Sequence, residues 1–84
     1  MEPGVREDPL RLVLRGAYLI AADLRDSDLS GVDLLGADLR ETRFERADLS
    51  KAIYLTQPQL NAARGSRATL LPSDLDMPSH WHDG

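Results

Sequence analysis

Ala22-Asp23-Leu24-Arg25-Asp26, Ser27-Asp28-Leu29-Ser30-Gly31, Val32-Asp33-Leu34-Leu35-Gly36 and Ala37-Asp38-Leu39-Arg40-Glu41 are four consecutive five-residue units, and they decide how the chain is read. The same frame runs outward without insertion to Leu12 on one side and Thr56 on the other, which makes nine units. Their third residues are Leu14, Leu19, Leu24, Leu29, Leu34, Leu39, Phe44, Leu49 and Tyr54. Their first residues are small or aliphatic, as at Ala17, Val32, Ala47 and Ala52.

Apolar spacing therefore alternates between two and three, whereas a helix asks for three and four and a strand for two. On an α-helix, a five-residue step of ~100° per residue would scatter the leucines around every side. In extended chain the first and third residues share a side, so the other two must turn a corner. One corner every five residues winds the chain into a coil, whose layers can satisfy each other's N–H and C=O groups ~4.8 Å apart. Gly16, Gly31 and Gly36 stand last in their units, where a corner asks for unusual backbone angles.

Charges choose the number of sides. Three sides would stack residues fifteen apart and place Asp23 on Asp38, Arg25 on Arg40, Asp26 on Glu41 and Asp33 on Asp48, relieved only by Asp28 with Arg43. Four sides stack residues twenty apart and pair Asp23 with Arg43, Arg25 with Glu45 and Asp26 with Arg46, against the single clash of Asp28 with Asp48. Opposite charges across layers help by ~0.2–1 kcal/mol each and like charges destabilise, so four sides are expected.

Ala22-Asp23-Leu24, Ala37-Asp38-Leu39 and Ala47-Asp48-Leu49 resemble the A(D/N)LXX signature of the pentapeptide repeat family. Thr42-Arg43-Phe44 is a common variant of it, while Leu12, Val32, Tyr18 and Ile53 are less usual. The resemblance implies an all-β solenoid: a right-handed quadrilateral β-helix of just over two coils, with the third-place residues and the preceding small residues inside. A short capping helix and an extended tail complete the expected architecture. The division is an irregular leader over 1–11, the repeat over 12–56, and the cap and tail over 57–84. The pieces Leu55-Thr56-Gln57-Pro58-Gln59-Leu60, Ala63-Arg64-Gly65 and His80-Trp81 look similar to the ends of bacterial, particularly actinobacterial, members.

Thr56 suits an N-cap, Pro58 the first helical turn, and Gly65 a left-handed stop, which predicts a helix from about Gln57 to Arg64. Placed on the last coil, it would cover the leucine ladder and its open edges. Ala68 to Leu71 reads as an extended piece.

On the four-sided register Leu35 and Leu55 stack outward with Ile53 beside them, and Tyr18 and Ile20 stand outward on the next side. Solvated faces seldom gather such residues. Either the tail lies across them through Leu70, Leu71, Leu75, Met77 and Trp81, or another chain does: a second copy, giving a homodimer, or a partner protein.

Composition excludes several chemistries. With no cysteine there is neither a disulfide nor a thiol nucleophile, which fits a reducing cytoplasm. A net charge of −4 disfavours general binding to nucleic acid or anionic lipid. The most apolar run, Leu10 to Leu24, is broken by Arg11, Arg15 and Asp23 and reads as neither a span nor a signal peptide. His80 and His82 lack the further ligands of a closed zinc site. Asp23, Asp28, Asp33, Asp38 and Asp48 recur because the repeat recurs, and no acid/base pair stands out. No enzyme, cofactor, metal or small-molecule substrate is expected.

The leading expectation is a non-catalytic scaffold or protein-interaction module. The resemblance implies one alternative, since some family members mimic DNA, bind DNA gyrase and protect it from quinolones. A second is a detached or degenerate fragment of a longer repeat protein.

Overall fold

The computed structural model describes residues 13–83; the leader expected over 1–11 and the first repeat residue, Leu12, lie outside them. Parallel backbone bridges join Val13 to Asp33, Tyr18 to Asp38, Asp23 to Arg43, Asp28 to Asp48 and Asp33 to Ile53. Every one of these spans twenty positions, the spacing expected between stacked residues. Leu24 N–H donates to Arg43 O at 2.9 Å and Arg43 N–H to Ala22 O at 2.8 Å, and the other sides repeat this exchange. Among the described residues no continuous strand or sheet forms, and the pairing consists of isolated bridges. Sides only two or three residues long between corners leave no room for a ladder.

Each corner is closed by an N–H returning to the carbonyl three residues earlier, as in Ala17 to Leu14 at 3.0 Å and Ala47 to Phe44 at 2.9 Å. The penultimate residue of the turn has positive φ at Gly16, Ala21, Asp26, Gly31, Gly36, Glu41 and Arg46, the signature of a type II turn. A side chain there costs roughly 1–2 kcal/mol relative to glycine. Nothing lies within 4 Å of a Cβ built on Gly36. Gly36→Ala should therefore lose about 1 kcal/mol through the backbone alone, and Ala21→Gly should gain a similar amount. Urea midpoints of the two variants, moving in opposite directions, are the check.

Leu29, Leu34, Leu39, Phe44 and Leu49 are buried, with Val32, Ala37 and Ala47 beside them. Leu14, Leu19 and Leu24 are partly buried against this core. Thr42 takes a small-residue place because its hydroxyl donates to Leu19 O at 2.7 Å, so the hydroxyl is not buried unpaired.

Two expected positions exchange roles at the last unit. Tyr54 is not in the core: its φ is +63° and it is 57 % exposed. Leu55, expected outside, is buried at 8 % exposure. The register loosens just before, where Gly31 N–H reaches Lys51 O, twenty positions on, although the equivalent bonds at Gly16, Ala21 and Asp26 span nineteen. Later bridges span more still: Arg43 with Arg64 and Asp48 with Leu70. The left-handed turn at Tyr54 swings its ring out and sends the next side chain inward.

The helix α1 spans Gln57–Ala62, with Thr56 as N-cap and Gln59 completing a capping box. Gln59 also bonds downward, its Nε2 donating to Leu34 O at 2.9 Å and Ala37 O at 3.0 Å. In the coils below, Ala17 O and Ala22 O each accept the N–H found twenty-one residues later. For Ala37 that residue is Pro58, which has no N–H, and the glutamine amide takes its place. Gly65 does not end the helix in a left-handed turn as expected: the C-cap is Ala63, with extended φ −91° and ψ 176°. Gly65 is needed for space, since an added Cβ would lie 2.4 Å from the Trp81 ring.

Candidate interaction surface

The column Asp23–Arg43 and its neighbours show how the coil arranges its charges. Arg25 holds Asp23 through two contacts, Nε at 2.8 Å and a terminal nitrogen at 2.7 Å, and Arg40 holds Asp38 in the same way. Arg43 reaches Glu45 at 3.1 Å. These partners are two residues apart within a layer, because second and fourth residues of a unit leave the extended segment on the same side. Of the cross-layer pairs expected, Asp26 with Arg46 forms directly at 2.7 Å and 3.1 Å. Asp23 with Arg43 and Arg25 with Glu45 attract at longer range.

The recurrent aspartate also closes each corner. Asp23, Asp28, Asp33, Asp38 and Asp48 accept the N–H of the residue two places on, at 3.0–3.2 Å, the Asx-turn geometry. That use of an oxygen eases the stacking of Asp28 on Asp48, each turned toward its own serine, Ser30 or Ser50.

Guanidinium hydrogen bonds hold Asp23, Asp26 and Asp38 below the ordinary carboxylate range, and Ser30 does so for Asp28. A carboxylate whose folded pKa is depressed contributes stability above its unfolded pKa and loses it as pH falls through the folded value. The unfolding midpoint in urea should thus be level from neutral pH to about pH 4 and fall below it. A midpoint that rises on acidification would contradict this pairing.

Asp33 differs from its repeat mates. It is 3 % exposed, accepts from Leu35 N–H at 3.0 Å, and pairs with Arg15 Nε. The Arg15 guanidinium lies 5.7 Å from the centroid of the Tyr54 ring, a cation–π distance. Arginine in the first layer and tyrosine in the third thus close over the buried carboxylate, an arrangement invisible in sequence because Tyr54 reads as a core residue.

Of the apolar residues expected outside, Tyr18 is 88 % exposed, Ile20 48 % and Leu35 46 %. Ile53 is half-buried and Leu55 is inside. Tyr18 stands on one side of the coil, with Leu35 at the corner before it and Ile20 at the corner after. The tail leaves Tyr18, Ile20 and Leu35 uncovered. It crosses the end of the coil, with Leu71 and Leu75 packed against the core and Trp81 buried. Gln57 and Asp76 exchange two bonds of 2.9 Å that tie the tail to α1. Trp81 Nε1 donates to Ala63 O at 3.1 Å, and Ser66 bridges His82. Leu70 and Met77 face outward.

Among the described residues no group of histidine and carboxylate side chains is arranged to hold a metal, and no helix is long and apolar enough to cross a membrane. The candidate site is the exposed apolar group of Tyr18, Ile20 and Leu35. A family model of pentapeptide repeats matches residues 13–53 in eight copies, and this segment belongs to the pentapeptide repeat family. No curated protein and no solved structure matches the chain.

Proposed function

We propose that the chain is a non-catalytic scaffold of the bacterial cytoplasm, a right-handed quadrilateral β-helix of just over two coils, which binds another protein through Tyr18, Ile20 and Leu35. The observation that carries the reading is the 88 % exposure of Tyr18 between two exposed aliphatic side chains, beside a tail committed elsewhere. Tyrosine on a rigid support loses little entropy on contact and anchors interfaces more often than most residues. A second copy of the chain is the first partner to test.

Size-exclusion chromatography with light scattering, run on the wild type and on Tyr18→Ser/Ile20→Ser, is the experiment. The expected result is a dimer, or a retained partner, that the double variant loses while keeping its melting temperature. A variant that associates like the wild type but melts earlier would sink the reading. The gyrase-mimic alternative has less support, because Asp23, Asp26 and Asp38 are each engaged by arginine. Saturating protein is accordingly expected to leave gyrase supercoiling unchanged.

A further inference from the structure

A cleft of about 390 Å³ opens where the tail returns over the third layer, lined by the side that follows Tyr18's in the chain. Its walls carry four arginines, Arg25, Arg43, Arg46 and Arg64, against two carboxylates, Glu45 and Asp83, in a chain whose net charge is −4. Cations gathered in a concave, low-dielectric wall focus the field on what enters. Two of the four are firmly occupied, Arg25 by Asp23 and Arg46 by Asp26, each through two contacts.

The other two are held loosely. Arg43 makes one contact to Glu45 at 3.1 Å, and its Nε has no hydrogen-bond partner. Arg64 meets Glu41 only at 3.6 Å. They are also direct bridge partners: Arg64 N–H donates to Thr42 O at 2.8 Å and Phe44 N–H to Arg64 O at 2.9 Å, which stacks one arginine on the other. Like charges directly opposite across paired backbone destabilise, and the register shift after Tyr54 creates this contact. An anion spanning both layers would reverse its sign.

We infer that the Arg43–Arg64 cleft binds a small phosphate-bearing anion, either inorganic phosphate or the phosphate group of a small ester. Two guanidinium forks from layers ~4.8 Å apart match a tetrahedral dianion with several acceptor oxygens better than a single carboxylate, which one fork satisfies. The volume is near the lower end of ligand cavities, ~300–1,000 Å³, which suits a small ester and excludes a nucleic-acid duplex. His80 and His82 of the tail complete the rim, so the last residues of the chain close both the core and the cleft.

The test is isothermal titration of the full chain with inorganic phosphate, phenyl phosphate and acetate, at an ionic strength held constant with sodium chloride. Phosphate or phenyl phosphate should bind and acetate should not; the tighter of the two identifies free ion or ester as the source. Arg43→Gln and Arg64→Gln should each weaken binding roughly ten-fold or more. Arg40→Gln, whose arginine pairs with Asp38 outside the cleft, should leave it unchanged. If a cleft variant fails to fold, amide shifts of the wild type on phosphate addition decide, and they should concentrate at residues 43–46, 64–66 and 80–83. No phosphate binding at millimolar concentration, equal response to acetate, equal loss in Arg40→Gln, or shifts spread over all sides would overturn the inference.

Discussion

Phe44→Ala is expected to remove a large share of the folding free energy and to shift the urea midpoint far downward. Phe44 is fully buried and belongs to one core with Leu39, Leu49 and Leu60. Truncating a buried phenylalanine costs about 3–5 kcal/mol. An 84-residue chain has roughly 4–12 kcal/mol in total at 0.05–0.15 kcal/mol per residue, so the loss removes a large share. Phe44→Leu restores the residue found at most third positions and should cost less than about 1.5 kcal/mol, since the change is apolar and modest in volume. Urea unfolding followed by circular dichroism distinguishes the two. A Phe44→Ala loss under about 1 kcal/mol would mean that the second layer does not pack as described.

Gly65→Ala should dislodge the tail. Its new Cβ would meet three carbons of the Trp81 ring at 2.4–2.7 Å, closer than such atoms approach. The ring is pinned by burial and by its bond to Ala63 O, so it must leave rather than shift. Trp81→Ala removes the same cover from the other side, with an expected loss of about 3–5 kcal/mol. Trp81 is the only tryptophan, so its fluorescence reports the event directly: emission should move to longer wavelength in folded Gly65→Ala. Emission unchanged from the wild type would show that the indole and the glycine are not in contact.

Both variants act at the end of the coil, where sequence reasoning was least able to follow the chain. Inside the repeat, side-chain direction follows from local spacing, so Leu29, Leu34 and Leu39 could be placed inward and Tyr18, Ile20 and Leu35 outward from sequence. The last unit keeps the spelling of the repeat, yet Tyr54 and Leu55 exchange places, because the chain leaves the register to enter α1. A glycine after a helix reads as a left-handed cap, but Gly65 is kept small by a tryptophan sixteen residues away. Charges that count as cross-layer pairs in sequence partly settle within layers, since a side chain two residues distant is as near as one a whole turn away.

Residue order alone determined the five-residue period, the twenty-residue register and the inward leucines, because these depend on neighbours a few positions apart and on one repeated stacking distance. Tertiary structure decided where that repeat stops, what closes its end, and how Arg15 and Tyr54 come to cover Asp33. It also decided that Arg64 sits on Arg43. Those contacts join residues whose separation fits no period, and only the path of the folded chain brings them together.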